Sequence, residues 1–259
     1  MLEPNQPAAD LVSENGLSSH AHALLLRNDG GEESPEPQAI LQVTYERIKS
    51  DILRGELPPG SRLRIRSLCA QYGVSASTSR EVLNRLTGAG LVQAQSQRGF
   101  SVAPVSLADL ADVCSVRRIL ECATLEQSLR NAGERWEANL VAVYHRLSKT
   151  EERLSEPLTD KLADDWEIRN REFHDVLVSG CPSQRLLRFR EIVYDESARY
   201  RRFSLKTALS VRNIREEHKA IFDAAIKRDV AEVCRLIEQH IDRTLQIVLA
   251  SARKQGGAP

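Results

Sequence analysis

Three histidines stand out by position. His174 lies in helical line with Trp166, Asn170, Phe173 and Leu177. His218 lies in line with Ile214, Ile221, Phe222 and Ala225, and His240 with Val233, Leu236, Ile237 and Thr244. Each falls on the inward stripe of a different helical segment. One inward imidazole is usually a core residue with a hydrogen bond. Three from three helices would bury several polar nitrogens at once, which costs free energy unless all are satisfied. A shared divalent cation satisfies them together, and imidazole donors suit zinc or nickel. Asn170 precedes His174 by one turn, so its side-chain carbonyl is a candidate fourth ligand. The alternative is three separately satisfied core histidines. His20 and His22 lie in a polar N-terminal stretch, and His145 falls off its helical stripe and is expected in solvent.

Arg117 is a second misfit. It interrupts an apolar stripe that includes Leu110, Val113, Cys114 and Leu120. A guanidinium there needs an anion, either Glu121 one turn on or the carboxylate of a bound ligand gripped by the arginine fork. Tyr200 and Arg201, in the cluster "SARYRRF", are candidates for a second carboxylate of the same ligand. A small acid of four to six carbons, glutarate-like, is the effector expected. Three nitrogen donors with an open position could instead activate water. There is no HExxH, however, and no carboxylate is placed as a general base, so the expectation is not an enzyme.

The elements that hold these residues are helical. From Leu107 to the end there is no strand signal, and helices are expected over about 136–154, 158–179, 183–208, 211–228 and 230–252. Gly180 and Pro182 mark one junction, and Asp229 with Glu232 reads as a capping box at another. The expectation is an all-α bundle over 105–253, with a disordered end at 254–259.

Upstream the pattern differs. A helix with Leu41, Tyr45, Ile48 and Ile52 on one stripe stops at Gly55, "LPPG" turns, and a short helix over 64–73 stops at Gly73. A third helix, about Ser75 to Ala89, is followed by two alternating segments, "LVQAQ" and "FSVAP", around "SQRG". Helix, helix, turn, helix, two-stranded wing is the order of a winged helix-turn-helix, expected here over 39–104. A protein-interaction module with the same order is the alternative. Charge favours DNA. Residues 41–104 carry nine bases and four acids, 9 − 4 = +5, within a chain whose Lys+Arg and Asp+Glu are both 36. Residues 1–38, rich in Pro, Gly, Ser and Glu, read as a disordered tail without a signal sequence. The five cysteines show no CxxC, and four lie in apolar helical patterns as small apolar residues, consistent with a reducing cytoplasm. No apolar run reaches membrane-spanning length.

The stretch "ILRGELPPGSRLRIRSLCAQYGVSASTSREVLNRLTGAGLVQAQSQRGFSV" resembles the winged helix of GntR-family bacterial transcription regulators. The segments "VRRILE", "NREFHDVLVSG", "EEHKAIFDAAIKRD" and "IEQHI" are similar to the FCD ligand-binding domain of that family's FadR-type branch. The resemblance covers roughly residues 41–250. It implies a mainly α protein, a winged helix followed by an FCD-type bundle. It further implies a homodimer that binds double-stranded operator DNA and answers to a small carboxylic acid. It assigns metal ligation to Asn170, His174, His218 and His240, and the effector carboxylate to Arg117. It places DNA contacts at Arg66 and Arg80 and at the wing tip Arg98-Gly99. Ser75, Ser77 and Thr78 open the recognition helix, where the family usually has Ser-Arg-Thr-Pro, and Ile65 replaces a usual glutamate. These departures bear on which operator is read. Asn170 in place of the usual aspartate removes a negative charge and re-tunes the metal site.

Overall fold

A computed structural model describes residues 36–95, 99–155 and 157–254, apart from the side chains of 202–211 and 252–254. The expected N-terminal tail therefore lies outside the described residues, apart from Glu36 to Gln38. Helix α1 (Pro37–Arg54) begins with a proline in its first turn, where the missing N–H costs nothing, and ends at Gly55 with φ 79°. After the two-residue strand β1 (Arg62–Leu63), α2 (Ile65–Tyr72) stops at Gly73 in the left-handed region. Helix α3 (Ala76–Gly88) starts one residue later than its sequence pattern suggests. Ser75 is its N-cap, the hydroxyl accepting the Thr78 N–H at 3.1 Å. Strands β2 (Val92–Gln95) and β3 (Gly99–Val102) pair antiparallel, and β1 adds to the far side of β3 to give the order β1-β3-β2. The sequence reading found two of these strands. β1 is too short to alternate visibly. Leu41, Ile48, Ile52, Leu68, Val82, Leu83, Leu86 and Val102 form one core under this small domain.

A connector from Ala103 leads to α4 (Leu107–Asn131), capped by Ser106, whose hydroxyl accepts the Asp109 N–H. Then come α5 (Glu134–Glu152), a 3₁₀ turn (Arg153–Ser155), α6 (Asp160–Val178), α7 (Gln184–Val211), α8 (Ile214–Ile226) and α9 (Val230–Lys254). Trp136, Leu140, Trp166, Phe173, Ile221, Val233 and Ile237 belong to a second, separate core. Among the described residues no helix is long and apolar enough to cross a membrane.

The two domains meet along α7. Lys49 of α1 lies 2.5 Å from the buried carboxylate of Asp195, which also pairs with Arg171 of α6. Burial alone would raise the Asp195 pKa, but Arg171 and Lys49 outweigh it and hold the group ionised. One turn on, Arg199 donates to the Ala103 carbonyl at 3.0 Å, and the Tyr200 hydroxyl accepts the Ser106 N–H and donates to Asp109 at 2.7 Å. Gly90, with φ 71°, abuts Glu196 so closely that a Cβ would sit 2.0 Å from its Oε1. The positive φ favours glycine, whereas the Glu196 carboxylate, the far end of a flexible side chain, could swing aside.

Candidate metal and effector site

Helices α6, α8 and α9 bring His174, His218 and His240 together in the bundle interior. One ligand atom from each lies within 4.8 Å of the others, and all three residues are buried. Ring centroids are 5.5 Å apart for His174 and His218, 5.3 Å for His174 and His240, and 4.9 Å for His218 and His240. Asn170 is buried one turn below His174. Its amide Nδ2 donates to the Tyr194 hydroxyl at 3.1 Å, which leaves Oδ1 without a partner. Both ring nitrogens of His174 and Nε2 of His218 are likewise buried and unpartnered. Orphaned buried polar atoms are rare in folded proteins and ask for an explanation. Three imidazoles converging on one point, with a buried, unpartnered amide oxygen one turn from His174, have the donor chemistry of a divalent-ion site.

The outer nitrogens of His218 and His240 are held by carboxylates. His218 Nδ1 lies 2.6 Å from Glu151 Oε1, and Trp166 Nε1 donates to the same oxygen at 3.4 Å. His240 Nδ1 lies 3.0 Å from Glu217 Oε2. Arg212, at the α7–α8 junction, pairs with Glu217 and donates to Thr244 at 2.8 Å. Its guanidinium also approaches His240 Nδ1, but a proton on that nitrogen, shared with Glu217, is the arrangement that leaves Nε2 free to ligate. Carboxylate–imidazole pairs of this kind fix the tautomer and ring orientation of metal-binding histidines. Sequence reasoning missed Glu151, Glu217, Arg212 and Tyr194. His145 is exposed.

Burial, then the neighbouring histidines and Arg117, hold His174 well below the usual imidazole range. For His240 burial comes first, then Arg212 and His218. Both are neutral in the folded protein, whereas unfolded histidines titrate near pH 6.5. Below that pH the unfolded chain takes up protons that the folded chain refuses. Stability is thus fully present above about pH 6.5 and falls as pH drops, by up to about 1.4 kcal/mol per pH unit for each such histidine. Thermal melts of chelator-treated protein at pH 8 and pH 5 should show this loss, and it should shrink in a His174→Phe variant. Equal losses in the two proteins would mean that His174 titrates freely.

Arg117 is buried beside the cluster. Its Nε lies 3.3 Å from Glu121 and its Nη1 donates to Ser197 at 3.0 Å. Glu121 is shared with Arg190, whose Nε lies 3.1 Å away. Arg117, Arg171, Arg190 and Arg201 all stand between 4.5 and 4.9 Å from the centre of the Tyr194 ring. Arg201 is buried and paired with Glu167, Nη2 to Oε1 at 2.5 Å. The Tyr200 hydroxyl is engaged at the interdomain connector, by Ser106 and Asp109. Arg117 and Arg201 therefore share a surround, and the hydroxyl of Tyr200 is used elsewhere.

On the winged helix, Arg66, Ser75, Ser77 and Arg80 are exposed, Thr78 is half-buried, and Arg98 lies outside the described residues. Ser75 Oγ is 2.8 Å from Ser77 Oγ and 2.9 Å from Thr78 Oγ1, a local network at the start of α3. Gly99, exposed at the turn end of the wing with φ 88°, opens β3 opposite Gln95.

A winged helix joined to a helical bundle with a buried polar site is the build of a ligand-responsive DNA-binding regulator. The family model described as bacterial regulatory proteins, gntR family, matches residues 41–102, and the FCD domain model matches 112–243. The HTH-type transcriptional regulator BphR of Paraburkholderia xenovorans strain LB400 is 41% identical over 220 residues, 83% of this chain and 89% of that protein. The HTH-type transcriptional repressor GlaR of Escherichia coli K12 is 33% identical over 208 residues, 79% of this chain and 93% of that one. The solved structure of E. coli McbR/YncC has the same fold, with a TM-score of 0.68 at 18% identity over 82% of this chain and 98% of that chain. The chain belongs to the GntR family of bacterial transcriptional regulators, in the branch that carries an FCD domain, and is not an enzyme.

Proposed function

We propose that the protein is a homodimeric repressor whose helical domain holds a divalent ion, zinc or nickel, on Asn170, His174, His218 and His240. In this reading a small carboxylate binds there and releases operator DNA. The observation that carries it is the set of buried, unpartnered donor atoms on Asn170, His174 and His218. When bound, the ion supplies a Lewis-acid position for an anionic oxygen. Arg117 supplies the fixed cationic fork beside it, with Arg201 adding positive charge, and Tyr200 is assigned to the connector instead. A C4–C6 dicarboxylate, glutarate first, fits a site with both a metal position and a guanidinium.

The response would travel through one stretch of α7. Tyr194 accepts from Asn170, Ser197 accepts from Arg117, and Asp195 between them grips Lys49 of the DNA-binding domain. An effector that moves either contact acts on the helix to which the winged helix is fastened. A dimer would place two α3 helices about one DNA turn, roughly 34 Å, apart to read a pseudo-palindrome. Arg66, Ser77, Thr78, Arg80, Arg98 and Gly99 would line the DNA, Ser75 being occupied first as the helix cap. A cytoplasmic location follows from that role.

Mobility shifts on the promoter of the protein's own gene, with and without glutarate and chelator, test the reading. Release by the acid only in metal-loaded protein supports it; release by metal alone would make the protein a metal sensor. In the same assay Arg80→Ala should weaken specific binding by about 1–3 kcal/mol if Arg80 reaches a base edge. Unchanged affinity in the folded variant removes Arg80 from the interface.

A further inference from the structure

Helices α4 and α9, the first and last of the bundle, run antiparallel along one seam. Arg118 reaches Asp242 at 2.5 Å, and four residues on, Cys122 reaches back to Glu238 at 3.7 Å and to the Cys234 carbonyl at 3.9 Å. As numbers rise on one helix they fall on the other in steps of four, so each side of the seam is a single helical stripe. Cys122 sits opposite the gap between Cys234 and Glu238. The approach is reciprocal, because Cys234 Sγ lies 3.9 Å from the Cys122 carbonyl.

We propose that Cys122 and Cys234 are a peroxide-oxidisable pair that closes to a disulfide between α4 and α9. Both are half-buried, open to a small oxidant, whereas Cys114 and Cys181 are buried. Cys69 lies in the other domain, on α2, with its sulfur 3.5 Å from Ser79 Oγ. The two thiols interact directly. Each sulfur lies against the other's backbone carbonyl, and a hydrogen bond from one thiol favours the thiolate of its partner, with Cys234 taken as the attacking sulfur. Its thiolate takes one oxygen from hydrogen peroxide, giving a sulfenic acid and hydroxide. The Cys122 thiol then attacks that sulfur, forming the S–S bond and releasing water. Over both steps two thiols are oxidised and one peroxide is reduced to two waters. Arg117 lies five residues before Cys122 and His240 six after Cys234. The crosslink would tie together the two helices that carry these groups, giving the sensor domain an oxidant input besides its ligand.

The test uses the full-length protein, purified under reductant and exposed to hydrogen peroxide. Thiol titration should fall from five to three, and non-reducing peptide mapping should find one linked pair, Cys122 with Cys234, cleaved by dithiothreitol. Cys122→Ser should stall at a dimedone-trappable sulfenic acid on Cys234. Cys234→Ser should likewise form no linked pair, because Cys122 alone has no partner sulfur to close on. Serine is close in size to the half-buried thiol, so both variants should fold, which circular dichroism checks. Five surviving thiols, a linkage through any other cysteine, or a bond between two chains would overturn the proposal.

Discussion

His174→Ala, His218→Ala and His240→Ala should each purify with almost no divalent metal, while His145→Ala should retain the wild-type content of about one ion per chain. The three share one buried point, and each removes a third of the nitrogen donors. His145 is on the surface. Elemental analysis of protein made without a histidine tag reads the result directly. Stability should follow. An ion held at a thousand times its dissociation constant stabilises the fold by about 4 kcal/mol. Wild-type protein should therefore lose several degrees of Tm in chelator, and the three variants should not respond. Trp166 gives a second signal, since its indole N–H donates to the carboxylate that holds His218. Equal metal content in all four variants would refute the site.

Arg117→Met should leave operator affinity of the free protein within about twofold of wild type and abolish the response to a dicarboxylate. The loss corresponds to a coupling of about 1–3 kcal/mol, or roughly 5–150-fold in operator affinity. Methionine is chosen because the site is dry. Glu121 keeps Arg190 as its partner when Arg117 is removed, so the variant avoids the cost of about 3–5 kcal/mol that stranding a buried carboxylate carries. Mobility shifts and thermal shifts with the acid separate the two roles. A variant that releases DNA as wild type does makes Arg117 only the ion-pair partner of Glu121.

The inward histidines were legible because a helix repeats every 3.6 residues. Trp166, Asn170, Phe173, His174 and Leu177 must share a side wherever the helix goes, and the structure buries all five. The partners of those histidines were not legible. Glu151 reaches His218 across 67 positions, and no local pattern connects them. Glu217 is next to His218 in sequence, yet adjacent residues point about 100° apart on a helix. It serves a different histidine, His240. The same geometry divides Tyr200 from Arg201. Read as a local cluster they look like one binding patch, but one turns to the connector and the other to Glu167. The cysteines illustrate a different limit. Cys122 and Cys234 each read as a small apolar residue in an apolar pattern, and only the pairing of the first and last helices reveals that they face each other.

Asp195 belongs to two domains at once. Its carboxylate is dry, and one of the two cations that keep it charged comes from α1 of the winged helix. A chimeric repressor that sets this bundle beneath another winged helix would inherit the anion without its counter-ion unless the new α1 brings a lysine or arginine to the place of Lys49. A side chain at the turn after its recognition helix would have to push the Glu196 carboxylate aside, which glycine avoids. Shuffling of reader and sensor modules by recombination is constrained at the same two points. The junction suits a new reading head best when that head already carries a cation on its first helix and a bare backbone before its wing.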